Sequence, residues 1–213
     1  MFWDRVAWAY DLFAEGINRK ADRALCAAVE RLMAPSDAVL ECACGTGLLT
    51  AVMAPRCRSL VATDFSERML RRAEKKCSRY GNVHFEQADI LHLPYPAASF
   101  DAVVAANVIH LLDQPYQALR QLERVCRPGG RLIIPTYMNQ TDKGTTNSVS
   151  GVIGRAGADF TRAFTLDTYR QFFADAGYPD GDYILCAGRL PCAVAVLRRR
   201  DAGLGHIKES GRG

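Results

Sequence analysis

The stretch Val39-Leu40-Glu41-Cys42-Ala43-Cys44-Gly45-Thr46-Gly47-Leu48-Leu49-Thr50 constrains this chain more than any other. A short β-prone run breaks at Gly45-Thr46-Gly47 and resumes as a helical segment, the pattern of strand, tight turn and helix N-terminus in an α/β sheet. Small residues in such a turn let backbone approach a ligand closely, and Gly45 or Gly47 can adopt angles that larger residues resist. Taken alone, the turn also fits an ordinary βα connection.

The unit repeats along the chain. Leu48 to Met53 reads as the first sheet helix, stopped by Pro55. Ser59 to Thr63 is a second β-prone run ending at Asp64, and Ser66 caps a helix running through Met69, Leu70 and Ala73 to about Ser78. Asn82 to Phe85 reads as a third strand ending near Ala88-Asp89, and Ser99 to Ala105 as a fourth, with Asn107 beyond its end. Pro115 to Val125 carries Leu119, Leu122 and Val125 on one helical face, and Arg127-Pro128-Gly129-Gly130 forces a turn before a fifth strand, Arg131 to Pro135. Thr165 caps a helix from Leu166 to Ala174, closed by Gly177. Tyr183 to Ala187 and Cys192 to Leu197 then form a hairpin that adds an antiparallel edge. Strands alternating with helices define a doubly wound, mostly parallel sheet.

Around this core, residues 35–200, lie three other segments. Residues 1–34 read as an N-terminal helical cap of two helices joined near Gly16, whose aromatic residues Phe2, Trp3, Trp8, Tyr10 and Phe13 either pack in the core or line a pocket. The polar, glycine-bearing stretch 138–160 reads as a lid insertion or a surface loop, and 201–213 as a flexible tail.

Composition narrows the function classes. A chain of 213 residues suits one α/β domain, and part of its net charge of +4 sits in Arg198-Arg199-Arg200 and the tail. A nucleic-acid binder concentrates its basic residues in a patch or stripe, so no nucleic acid is expected as a partner. The eight cysteines include Cys42 and Cys44 with no second pair at zinc spacing. Free thiols in a reducing, cytoplasmic setting and no metal site are the expectation. Apolar runs are interrupted well before the ~18 residues of a membrane span, so no stable membrane insertion is expected. A monomer or homodimer is the expectation.

Three acids, Glu41, Asp64 and Asp89, fall where successive strands end, the edge at which open parallel sheets bind ligands. Asp64 lies 17 residues beyond Gly47, near the position of an acid that binds a ribose diol. The G-x-G-x-x-G of dinucleotide dehydrogenases and the G-x-x-x-x-G-K-[ST] phosphate loop are both absent.

Glu41-Cys42-Ala43-Cys44-Gly45-Thr46-Gly47 resembles the first motif of class I S-adenosylmethionine-dependent methyltransferases, and Val61-Ala62-Thr63-Asp64-Phe65-Ser66-Glu67-Arg68-Met69-Leu70 their second strand and turn. Gln87-Ala88-Asp89-Ile90 with Leu93-Pro94-Tyr95, Phe100-Asp101-Ala102-Val103-Val104 and Arg127-Pro128-Gly129-Gly130-Arg131-Leu132 follow in family order. The chain is similar to the small-molecule branch that includes quinone-biosynthesis and phospholipid N-methyltransferases. The resemblance implies a Rossmann-like, seven-stranded sheet with a C-terminal antiparallel hairpin, and S-adenosyl-L-methionine as cofactor with S-adenosyl-L-homocysteine as product. It implies that Glu41, Ala43, Cys44, Gly45, Thr46 and Gly47 cradle the methionine part, with Glu41 near its amino group. Asp64 then binds the ribose, Phe65 and Met69 pack beside the adenine, and Asp89 meets the adenine amino group with backbone of Ala88 and Ile90. Asn107, Val108 and His110 sit near the sulfonium. Ala43 departs from the family form, which favours glycine; a methyl group fits there at negative φ.

Methyl transfer is an in-line displacement at an activated sulfonium, so alignment and water exclusion are the main demands on the protein. Where the acceptor must lose a proton, His110 is the candidate catalytic base, the alternative being that it only shapes the pocket. Trp8, Tyr10, His110 and Tyr137 are the candidate substrate-side residues. Two other readings stay open: a non-catalytic cofactor-binding or protein-interaction module, and a peripheral phospholipid N-methyltransferase.

Overall fold

A computed structural model describes residues 18–138 and 162–200. Its elements are α1 (Arg19–Arg31), β1 (Ala38–Cys42), α2 (Thr50–Met53), β2 (Ser59–Asp64), α3 (Glu67–Cys77), β3 (Val83–Gln87), β4 (Phe100–Ala105), α4 (Pro115–Val125), β5 (Cys126–Tyr137), α5 (Leu166–Asp175), β6 (Asp182–Cys186) and β7 (Cys192–Arg198). The strands form one seven-stranded sheet in the order β3-β2-β1-β4-β5-β7-β6. The pairings from β3 through β5 are parallel, whereas β7 runs antiparallel to both β5 and β6. The strand order reverses between β1 and β4, and the crevice at such a switch point is where open α/β sheets take ligands.

Two apolar layers cover the sheet. On one side α1 places Leu25, Ala28 and Val29 with Met53, Val104, Ile133 and Tyr137; on the other, Leu119, Leu122 and Val125 of α4 meet Tyr169 and Phe173 of α5. The start signals read from sequence act as local physics requires. The Ser66 hydroxyl accepts the Met69 amide at the head of α3, and Thr165 and Thr168 form a reciprocal capping box at α5.

Three local expectations are corrected. The first sheet helix begins at Thr50 rather than Leu48, because residues 45–49 complete the turn, and it passes into a 3-10 turn (Ala54–Arg56) that contains Pro55. Arg127-Pro128-Gly129-Gly130 is not a separate turn before the fifth strand but an irregularity inside β5, where the register against β4 shifts from Phe100↔Cys126 to Ala102↔Arg131. The Arg199 carbonyl accepts from Gly129, and the Arg199 amide donates to Gly130, each at 2.9 Å; these bonds hold the extra residues in the sheet. Ala43 adopts φ +55° rather than a negative value, since the chain must reverse directly after β1.

All eight cysteines are free thiols and all but Cys26 are buried. Among the described residues no helix is long and apolar enough to cross a membrane. Of the segments expected from sequence, residues 1–17, most of the 138–160 lid and the 201–213 tail lie outside the described residues, and Trp8 and Tyr10 with them.

Candidate functional site

The turn after β1 contains three left-handed residues within five positions, Ala43, Gly45 and Gly47, with φ of +55°, +56° and +82°. The two glycines do different work. A Cβ at Gly47 would stand 3.1 Å from the Ala73 backbone, so its absence lets the turn pack on α3, whereas a Cβ at Gly45 would meet nothing within 4 Å. Gly45 therefore presents bare backbone to open space, as a close-approaching ligand requires.

Asp64, at the end of β2, fastens this turn. One carboxylate oxygen accepts the Gly45 amide at 2.9 Å and the other accepts the Ser66 amide at 2.9 Å. Beside it Phe65 is half exposed, at 50%, while Met69 is buried beneath. The end of β3 is tied to the same corner: the Ala88 amide donates to the Asp64 carbonyl at 3.2 Å, and the Gln87 amide group donates to the Phe65 carbonyl at 2.8 Å. Asp89 accepts the Leu91 amide at 2.9 Å and lies 3.2 Å from Nδ1 of His92.

Glu41 is 2% exposed, and its carboxyl accepts the Thr50 hydroxyl at 2.5 Å. Burial pushes its pKa up to about 8, with the Asp64 charge adding to the rise and Thr50 opposing it. Burial likewise pushes Cys42 up to about 12 and Cys44 well above the ordinary thiol range, so both thiols stay protonated and pack as small apolar side chains.

After β4, Asn107 is left-handed at φ +52° and donates its amide to the Pro135 carbonyl at 2.8 Å, which joins the ends of β4 and β5. The Asn107 side-chain oxygen is buried and accepts no hydrogen bond among the described residues. Val108 is buried, and His110 follows in a 3-10 turn (Ile109–Leu111) at 2% exposure. Burial lowers the His110 pKa to about 4. Arg162 holds this turn by donating its amide to the His110 carbonyl at 3.1 Å and its guanidinium to the Leu112 carbonyl at 2.7 Å.

Glu41, residues 43–47, Asp64, Phe65, Ala88, Asp89, Asn107, Val108 and His110 thus come from sequence-distant segments to one edge of the sheet. Tyr137 is at the same edge but is buried against α1, where its hydroxyl donates to Asp22 at 3.1 Å. Sequence reasoning missed Thr50, His92, Arg162 and Asp22. The acid–histidine spacing Asp89-x-x-His92 was available as a signal, whereas no spacing rule marks the other three. The set of groups suits an adenosyl cofactor: open backbone at Gly45, a carboxylate one strand away, and an exposed aromatic ring beside it.

Residues 40–134 match the family model described as a methyltransferase domain. The phosphatidylethanolamine N-methyltransferase of Cereibacter sphaeroides is 31% identical over 151 residues, 70% of this chain and 72% of the relative. A demethylmenaquinone methyltransferase of Clavibacter sepedonicus is 34% identical over 134 residues, 62% of this chain and 55% of the relative. The 27-O-demethylrifamycin SV methyltransferase of Amycolatopsis mediterranei is 30% identical over 145 residues, 66% of this chain and 53% of the relative. The chain spans about half the length of these last two relatives. Among solved structures, the N-methyltransferase NodS from Bradyrhizobium japonicum WM9, in complex with S-adenosyl-L-homocysteine, superposes with a TM-score of 0.64 at 22% identity over 83% of this chain and 86% of its own. The [4+2]-cyclase SpnF does so with a TM-score of 0.69 at 18% identity over 85% and 81%. This chain belongs to the class I S-adenosylmethionine-dependent methyltransferases.

Proposed function

We propose that this protein transfers a methyl group from S-adenosylmethionine to a small, partly apolar organic acceptor by in-line displacement. The observation that carries this reading is the junction of the β1 turn with Asp64, where open backbone at Gly45 and the carboxylate at the end of β2 share one hydrogen bond of 2.9 Å. The bound cofactor supplies a methyl group already activated by its sulfonium.

The residues act by holding and aligning. Glu41 faces the amino group of the methionine part, and residues 43–47 cradle that part with backbone. Asp64 receives the ribose hydroxyls. Phe65 and Met69 bracket the adenine, whose amino group meets Asp89 and the backbone of Ala88 and Ile90. Asn107 and Val108 flank the reacting methyl group. His110 receives a proton from acceptors that must lose one, its buried imidazole being neutral at pH 7. Trp8, Tyr10 and the 138–160 segment face the acceptor, Tyr137 supports that side of the site from its buried place against α1, and the protein works in the cytoplasm as a monomer or homodimer. The similarity to the Cereibacter sphaeroides enzyme favours testing a phospholipid amine beside a quinol and other small phenols.

Isothermal calorimetry against S-adenosylmethionine and S-adenosylhomocysteine, with NAD as control, tests the cofactor site, and product formation from amine and phenol acceptors tests turnover. Binding of an adenosyl ligand without NAD binding, followed by methylated product, supports the reading. A folded protein that binds neither adenosyl ligand refutes it, and binding without product from any acceptor favours a non-catalytic module.

A further inference from the structure

Asp22 is a carboxylate held where a carboxylate is unfavourable. It lies in the first turn of α1 at 6% exposure. The Tyr137 hydroxyl donates to its Oδ1 at 3.1 Å, while its Oδ2 is buried and accepts no hydrogen bond among the described residues. The Cys26 thiol on α1 and the Cys192 thiol on β7 lie near enough to feel its charge, and neither brings a positive charge. Burial raises the Asp22 pKa to about 6, with the Tyr137 hydrogen bond opposing the rise, so the group is still mostly ionised at pH 7.

The fold prevents this acid from swinging out to water. Asn18, just before α1, donates its side-chain amide to the Leu190 carbonyl at 3.0 Å and accepts the Leu190 amide at 3.2 Å. Gly188 lies so close to the helix that a Cβ there would stand 2.5 Å from the Cβ of Ala21. The first turn of α1 is therefore clamped to the β6–β7 loop. Tyr137, in turn, is two residues beyond Pro135, whose carbonyl is bonded to Asn107. This puts the acid at the sheet edge that carries the candidate site, on the β5 side, away from Asp64 and the β1 turn. A buried acceptor atom left without a donor destabilises a fold by about 1–3 kcal/mol, and such groups persist where a ligand satisfies them.

We propose that Asp22 is a specificity-determining residue whose Oδ2 accepts a hydrogen bond from the N–H or O–H of the methyl acceptor, with Tyr137 as the positioning residue that orients it. The inference rests on the methyltransferase reading and adds to it the chemistry demanded of the acceptor: a hydrogen-bond donor at the polar end of an otherwise apolar molecule. A tertiary amine or a fully etherified ring fits Asp22 poorly.

The test uses the full chain loaded with S-adenosylhomocysteine and two probes, reduced demethylmenaquinone as hydroxyl donor and dispersed phosphatidylethanolamine as amine donor. The Asp22 carboxyl carbon resonance, assigned by its loss in Asp22→Asn, reports contact directly. One probe is expected to shift it, which identifies the donor type. With that probe as acceptor, Asp22→Asn is expected to raise KM about 10- to 100-fold, the loss of one charge-assisted hydrogen bond, with a much smaller change in kcat. Adenosyl-ligand affinity and melting temperature should be retained, and Tyr137→Phe should give a smaller rise in KM. A resonance that neither probe moves overturns the assignment. So does an unchanged KM in Asp22→Asn, which leaves only a structural water at Oδ2, or a joint fall of adenosyl affinity and melting temperature, which marks a purely structural acid. A wild-type protein that binds no adenosyl ligand instead defeats the methyltransferase reading, and this inference falls with it.

Discussion

Binding of the adenosyl cofactor should release a proton from Glu41. Its carboxyl, buried and bonded to Thr50, has its pKa pushed from 4.5 up to about 8, so about nine molecules in ten carry the proton at pH 7. An ammonium brought to this carboxyl favours the ionised form and pulls the pKa down. Calorimetry with S-adenosylhomocysteine at pH 7, in two buffers of different ionisation enthalpy, should therefore show release of close to 0.9 proton per ligand. Affinity should rise by close to tenfold between pH 6 and pH 7, equivalent to ~1.4 kcal/mol. Stability without ligand runs the other way. The folded-state pKa is raised, so the contribution of this group is fully present below pH 4.5 and is lost as pH rises towards 8, by on the order of 5 kcal/mol. Glu41→Gln should remove the proton release and this part of the pH dependence together, and weaken ligand binding by roughly 1.5–3 kcal/mol through loss of the charged hydrogen bond. Heats that do not depend on the buffer, with affinity flat from pH 6 to pH 7, would refute the contact between Glu41 and the amino group.

Other perturbations separate the remaining roles. Asp64→Ala should lower S-adenosylhomocysteine affinity about 10- to 100-fold while chemical denaturation stays cooperative, and wild-type affinity in calorimetry would sink the ribose assignment. Ala43→Gly should raise stability by roughly 0.5–1 kcal/mol, because relief of left-handed strain outweighs the added freedom of the unfolded chain; a lower denaturation midpoint would count against it. With its folded pKa lowered to about 4, His110 should contribute stability that is present above pH 6.5 and lost as pH falls towards 4, and His110→Gln should flatten that acid limb. If His110 takes the acceptor's proton, kcat should fall on the acid side near pH 4 rather than near 6.5, and His110→Ala should reduce kcat far more than cofactor affinity. A rate profile unchanged in the variant removes that role.

What was legible in the sequence is what neighbouring residues encode. The alternation of β-prone runs with helices, the caps at Ser66 and Thr165 and the turn at Gly45-Thr46-Gly47 depend on contacts a few residues apart, and the elements stand within a residue or two of their expected places except β5, which begins at Cys126 rather than Arg131. The three acids Glu41, Asp64 and Asp89 could be placed at strand ends because a parallel sheet sends each strand end to one edge. The conformation of Ala43 was not legible. An alanine in that turn gives no sign of φ +55°, which follows from the reversal after β1 and from Asp64 gripping Gly45.

The sequence by itself determined the class of fold, the order of its βα units and the sheet edge at which Glu41, Asp64 and Asp89 gather, because short-range periodicity and turn chemistry survive without knowledge of distant partners; the adenosyl ligand is what its motifs imply by resemblance. Only the tertiary structure decided that β7 lies between β5 and β6, that Arg127-Pro128-Gly129-Gly130 stays within β5, that Thr50 holds Glu41, and that Tyr137 meets Asp22 across 115 residues. Such pairings are chosen by which buried surfaces and polar groups complete one another after the chain has closed on itself. No local spacing carries that information, because each partner's identity makes sense only in the company of the other.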